Sequence, residues 1–557
     1  MMRLLTIPVM LAGLAAAAVY WSNEAGGGRP DFAFVNRGDN KCLDPNGMSW
    51  MQDIRISYAL WEGLYTLDPV TLRPVLGCAD RATTDSTRTV WTLHIRPEAR
   101  WSNGDRVKAG DFLFAWRRFL ETPGEYTYLH FYVRGAKQYS SEFADYVAAK
   151  EKGGAPRAAP DFSMVGEKAS DEQTLVVTLS DPVPFFPALL AFGPFFPMHE
   201  PSMRPFKESD GLHYRLDFTR PPNLVTNGPY RMAQWSFKRR LRMVASDYYW
   251  NRANVKSRVV DEIYAEDGLA AYRAYDRGEV DWLSDVDPNL AAQILAKGGR
   301  NDLHVFPAFG TYYYSLNCLP NLPDGRKNPL ADVRVRQALA MSIDRDPIVR
   351  NVGRLGQPPS RTYVPPHVFE GYSSPPGLAY DPGQARKLLA EAGYRNGQGF
   401  PNLTILYNSE GIHGDVAQIM RRQWLDNLNV QMDLQGVEIK VFGQMLHTQQ
   451  YAVARASWYG DYADPTTFTD KYKSDSDDND AKWSNAEYDR LCAEAQRETD
   501  QGRRLRLLSR AENILLNEAP IIPLYTYVNA YLFRPQVKGI PLAANAMLMF
   551  NSVQVVR

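Results

Sequence analysis

The hydrophobic positions of this chain switch repeatedly between a period of two and a period of about 3.6, as strands and helices in alternation do. Residues 31–44 read as a strand ending at Leu43-Asp44-Pro45, and Met51 to Leu64 as a helix stopped by Gly63. Val90 to Arg96 alternates like a half-buried strand. After the turn signal Asn103-Gly104, Asp111 is placed to cap an amphipathic helix from Phe112 to Phe119. The Pro- and Phe-rich run from Pro182 to Pro197 excludes a regular helix or a central strand and is expected to cross between lobes. Further on, Ala331 to Arg345 puts Val335, Leu339 and Ile343 on one helical face. Asp346-Pro347 and Asp381-Pro382 each supply a cap and a first helical residue. Strands Leu403 to Asn408 and Gln431 to Val437 flank a helix around Val416 to Leu428. Helices Asn485 to Arg497 and Arg503 to Leu516 lead into a closing strand, Ala519 to Tyr525. This order defines an α/β protein, and 557 residues exceed one core, so two to four lobes are expected.

One late stretch changes character along its length. Tyr451 to Ser457 is an apolar strand, and it runs out into Trp458, Tyr459, Gly460, Asp461, Tyr462 and the turn former Asp464-Pro465. A single carboxylate among three rings at a strand end suits a ligand: rings give apolar contact and the charge gives orientation. The same residues also fit a buried strand whose Asp caps the next turn.

Composition narrows the classes. Lys+Arg and Asp+Glu balance at 63 each with no basic block, which leaves nucleic-acid binding without electrostatic support. Arg3 followed by the apolar run Leu4 to Tyr20 makes residues 1–24 a signal peptide or amino-terminal membrane anchor, and the rest an exported body. In an oxidising compartment a Cys42–Cys78 disulfide is expected, with Cys318 and Cys492 as buried thiols. The eight histidines are scattered, and no zinc spacing, nucleophile elbow or phosphate loop is present, so no metal, cofactor or catalytic group is expected. The acidic run Asp475 to Asp480 lacks the glycine and the closing Glu of a calcium loop and reads as solvated.

Several short motifs follow one another along the chain: Glu62-Gly-Leu-Tyr65, Trp91-Thr-Leu-His-Ile-Arg-Pro97 with Trp101-Ser-Asn-Gly104 and Ala109-Gly-Asp-Phe112, Asn227-Gly-Pro-Tyr230, Val333-Arg-Val-Arg-Gln-Ala-Leu339 with Ile343-Asp-Arg345, Trp483 to Asp489, and Ala519 to Leu524. Together they resemble the extracytoplasmic solute-binding proteins of peptide and oligopeptide ABC importers. The resemblance implies two α/β lobes closing about a hinge plus an inserted lobe. Lobe I would comprise residues 30–75, 215–308 and 525–557, the inserted lobe 76–214, and lobe II 309–524. It also implies a monomer that carries peptides to permease subunits, is not an enzyme, and needs no cofactor.

In that family the pattern Arg-Ala-x-Trp-x-x-Asp-Tyr places its Asp on the peptide's α-amino group. Arg455-Ala-Ser-Trp-Tyr-Gly-Asp-Tyr462 matches it, so Asp461 is the expected ammonium partner, with Trp458 packed along the ligand and Tyr459 and Tyr462 beside it. Arg455 matches an arginine that meets the ligand carboxylate in some members, or else is a structural strand arginine. Tyr126 or Tyr128 resembles a tyrosine contacting peptide backbone, and Glu62 of the first motif is placed with the ligand-facing residues. Two departures leave the carboxylate end unassigned: Ile439 stands where the family has Trp, and Leu446 where it has a second arginine. Two alternatives stay open: a non-peptide solute such as a nickel complex, haem or an oligosaccharide, and an envelope hydrolase pairing Asp461 with Asp464.

Overall fold

The computed structural model describes residues 28–36, 38–152, 158–298 and 300–557. The expected signal or anchor, residues 1–24, lies outside them. Among the described residues no helix is long and apolar enough to cross a membrane.

A ten-stranded mixed sheet runs through the molecule. Its order is Met432–Val437, Leu403–Asn408, Val453–Tyr459, Leu303–Leu316, Ile521–Phe533, Trp282–Leu283, Phe32–Val35, Val259–Ile263, Arg240–Ala245 and Tyr230–Ser236. The two central strands are antiparallel and are the only long ones in this sheet, at 14 and 13 residues. They pair over Leu303 to Pro307 and again over Thr311 to Ser315, with the register shifting between Pro307 and Thr311 and again between Tyr312 and Tyr313. Pro307 has no N–H to give to a ladder, so the interruption follows from the residue there.

Period-two alternation explains how one strand serves two cores. Tyr312 and Tyr314 pack on the apolar side with the helices Val333–Met341 and His413–Leu428. Tyr313 points the other way, into a second core with Tyr363, Phe468 and Trp483. A separate antiparallel sheet takes Ala79–Thr84, Val90–Ile95, Thr174–Thr178 and Glu167–Ala169 in that order. The helix Ala109–Glu121 buries Phe112, Trp116 and Leu120 in the core shared with that sheet.

Several local expectations are corrected. The first strand ends at Val35. The helix Met51–Leu60 ends three residues before Gly63, with the Trp61 N–H bonded to Ser57 O. Gly63 is needed for close approach instead: a Cβ there would lie 2.3 Å from the Leu190 carbonyl oxygen. Asp111 is the third residue of its helix, not the cap, and accepts both Lys108 N–H and Trp101 Nε1–H at 2.9 Å. That bond ties the Trp101 and Asp111 motifs together. The Pro/Phe run contains a short helix, Phe186–Leu190.

The expected Cys42–Cys78 disulfide is also corrected, because both are free thiols. Cys78 is buried beside Glu62 O at 3.3 Å and Asn227 Nδ2 at 3.1 Å, whereas Cys42 sits against Asp44 O. Their surroundings hold them in different places.

Replacing Gly63 by Ala forces a methyl group onto backbone. A loss of about 1–3 kcal/mol is expected in denaturant unfolding, read as a lower midpoint at unchanged slope.

Candidate functional site

A cavity of about 730 Å³ opens between the end of Val453–Tyr459, the Tyr525 to Ala530 stretch of its neighbour, and the Ser49–Tyr58 and Ser284–Ala292 segments opposite. Ligand clefts are commonly of this size. Alternation along the first strand decides what faces it. Arg455, Ser457 and Tyr459 line the cavity, and the chain then turns so that Gly460, Asp461 and Tyr462 continue the wall. Gly460 permits the turn, since a Cβ would sit 2.2 Å from the Phe309 ring.

Trp458 falls on the other face. Its Nε1–H donates to Thr467 O at 2.7 Å, and the Lys471 ammonium lies 4.6 Å from its ring centroid. It does not line the cleft but braces the turn behind it. The expectation that it packs along a ligand is not supported by this geometry. Period two puts neighbours 457 and 458 on opposite sides.

Asp461 is held from two directions. Its N–H bonds Thr467 Oγ1 at 2.9 Å, and its carboxylate accepts the Tyr128 hydroxyl at 2.6 Å. Tyr128 comes from the part of the chain that carries the four-stranded sheet, so this bond joins that region to the wall of the cleft. Burial pushes the Asp461 carboxyl up to about 6 despite the Tyr128 bond, with Asp478 and Glu125 adding to the rise. Tyr126 also lines the cavity, edge-on to Phe192 at 5.0 Å. Tyr462 is buried and stacks on Phe185 at 4.6 Å, a second contact between the same two regions. Asp464 does not face the cavity. It is buried in a bidentate pair with Arg504, at 2.6 and 2.8 Å, and also accepts the Thr466 N–H. Arginine forks give such pairs fixed geometry.

At the strand's middle, Arg455 lies 5.2 Å over the Tyr312 ring and reaches Tyr527 OH at 3.4 Å. Its Nε has no hydrogen-bond partner among the described residues. Tyr527 in turn stacks on Tyr459 at 4.8 Å. His413 joins this group through a 3.0 Å contact with Tyr312 OH. Burial first, and the Arg455 charge second, push the imidazole down to about 3, so it is neutral at physiological pH. His413 opens a helix and carried no local sequence signal. Trp50, 58% exposed and in the cleft wall, was missed for the same reason.

Glu62 is the clearest misplacement. It is buried away from the cavity, accepting Tyr249 OH at 2.5 Å and Trp250 Nε1–H at 2.7 Å, while its backbone pairs with the Asn227 side chain. Burial raises its carboxyl above the usual range. Glu62, Asn227 and Trp250 therefore form an architectural network joining distant motifs.

Residues 73–480 match the model of the bacterial extracellular solute-binding proteins, family 5, middle region. The periplasmic oligopeptide-binding protein OppA of Salmonella typhimurium is 32% identical, over 90% of this chain and 88% of its own. Among solved structures, the periplasmic murein tripeptide-binding protein MppA in its unliganded open form superposes with a TM-score of 0.77 at 29% identity, covering 94% of this chain and 97% of that one. OppA of Haemophilus influenzae in complex with RPPGFSPFR gives 0.72 at 27%, covering 94% and 99%. The fold is the two-lobed α/β architecture of periplasmic binding proteins. This chain belongs to the family 5 extracellular solute-binding proteins.

The Asp461 geometry has a measurable consequence without ligand. A raised carboxyl makes the folded protein bind a proton more tightly than the unfolded chain between the ordinary value of 3.8 and about 6, so this group's contribution to stability falls as pH rises through that window. Asp461→Asn removes the cost while keeping an acceptor for Tyr128. Thermal or urea unfolding of the empty protein should show a gain on the order of 1–3 kcal/mol above pH 6 and none below about pH 4.

Proposed function

We propose that this protein is the extracytoplasmic substrate-binding component of an ABC importer, closing its cleft around peptides and delivering them to permease subunits. The observation that carries this is the half-buried Asp461 carboxylate, which lines the cavity and, among the described residues, has a neutral hydroxyl as its side-chain hydrogen-bond partner. A buried charge needs a counter-charge, and a peptide's α-ammonium supplies one. Arg455, over its tyrosines, receives a carboxylate of the ligand. Strand edges and the rings of Tyr459 and Tyr126 serve the main chain and side chains in between. The oligopeptide- and murein-peptide-binding names of the relatives support the same substrate class.

In this reading lobe I comprises residues 30–75, 215–308 and 525–557, the inserted lobe 76–214, and lobe II 309–524. Both crossing points between lobes I and II then fall on the central strands, near the register break at Pro307 to Thr311. The protein acts as a monomer in the cell envelope, exported or anchored by its amino-terminal segment, and turns over no substrate.

Calorimetry tests the reading. A free-amine peptide should bind, its N-acetylated form should bind roughly a hundredfold or more weakly, and Asp461→Ala should lose a similar factor. The carboxylate must be ionised, so affinity should decline as pH falls through about 6. Equal affinity for the acetylated peptide contradicts the reading. Saturable binding of a sugar or metal complex instead points to a non-peptide solute, and release of products to a hydrolase.

A further inference from the structure

A second guanidinium in the cleft is left without a task by this function. The helix Asp346–Ile348 passes into a π-helical turn, Val349–Gly353, and the next residue, Arg354, takes a left-handed backbone with φ 56° and ψ 10°. That conformation disfavours side chains, and π turns gather at functional sites. Glycine would adopt it freely, and glycines stand nearby at 353 and 356, yet the left-handed position itself carries an arginine.

The surroundings hold it there. Arg354 N–H bonds Val349 O at 2.9 Å. The Gln357 side chain accepts from Leu355 N at 3.0 Å and donates to Gly353 O at 3.4 Å. Leu355 is buried among Leu283, Val286 and Ala530. Pro358 O accepts from Thr526 N at 3.0 Å, which fastens the loop to the strand bearing Tyr525 and Tyr527. The result is a rigid mount whose one exposed, cleft-lining charge is Arg354. Its side chain forms no hydrogen bond or ion pair among the described residues.

The other charged groups of the cavity set the balance. Arg455 approaches the Tyr525 to Tyr527 stretch from the neighbouring strands, while the Arg354 loop runs along its other edge. His413, which contacts Tyr312 beside Arg455, has its imidazole pushed down by burial and by the Arg455 charge. Arg55 and Asp285 lie on the opposite wall, and Asp461 is the carboxylate reserved for the ammonium. A peptide has one terminal carboxylate, and two arginines flank the floor. We infer that Arg354 is a specificity-determining residue that selects peptides with an acidic side chain in their carboxyl-terminal part. This rests on the function proposed above. Arginine suits the task because its fork binds a carboxylate in two parallel hydrogen bonds.

The test is calorimetry with free-amine tetrapeptides in which Glu is compared with Gln at each position from the second to the last. The wild type should prefer Glu at one of the last two positions by about tenfold or more, the size of a charge-assisted hydrogen bond. In Arg354→Gln that ratio should fall to near one, Arg354→Lys should keep part of it, and added salt should shrink it. The loss of sensitivity to N-acetylation on Asp461→Ala serves as the separate check on the amine end. Equal affinities for Glu and Gln peptides in the wild type, or a ratio unchanged in Arg354→Gln, overturn the inference while the peptide-binding reading stands. If no peptide binds at all, both fall.

Discussion

A carboxylate withdrawn from water must find a counter-charge or give up its ionisation, and the region around Asp461 is arranged about that requirement. The turn that carries it is stiff. Gly460 lets the chain pass the Phe309 ring, Thr467 holds the Asp461 N–H, and Trp458 braces the rear through the Thr467 carbonyl. Asp464, three residues on, is engaged by Arg504 and Thr466 and does not line the cavity, so the nearby second carboxylate does not compete for a ligand. Tyr128 satisfies Asp461 only with a neutral hydroxyl. The site is thereby placed above its most stable state, as binding sites commonly are.

The same bond shows how the architecture serves a closing cleft. Tyr128 to Asp461 and Phe185 on Tyr462 both join the region of the four-stranded sheet to the turn after Val453–Tyr459. Tyr132 to Asp470, at 3.3 Å, adds a third contact on that side. The long central strands carry register shifts between Pro307 and Thr311 and between Tyr312 and Tyr313.

Much of the fold was legible because it is periodic. Helices such as Ala486–Arg497 and Gln501–Glu518 show their caps, Asn485 and Asp500, and their apolar stripes locally. The strand ending near Asp461 was legible for the same reason, and its alternation alone sorts Arg455, Ser457 and Tyr459 from Trp458. Pattern resemblance placed Trp458 on the ligand, and the strand period overrode it. Glu62 was misread because its partners, Tyr249 and Trp250, are nearly 190 residues away, at separations of 187 and 188. No local pattern reports such a pairing. Tyr126 and Tyr128 were indistinguishable in sequence, and only the three-dimensional path shows that Tyr128 reaches the carboxylate while Tyr126 packs on Phe192. Arg354 and His413 escaped notice because a loop and a helix start carry no periodic signal.

The most direct measurement is a crystal structure of the protein with a bound free-amine peptide. The expected result is the peptide's ammonium nitrogen within hydrogen-bond distance of an Asp461 carboxylate oxygen, at about 2.7–2.9 Å. A peptide seated in the cleft with its amino group elsewhere, and Asp461 still bonded to Tyr128 alone, would contradict the assignment.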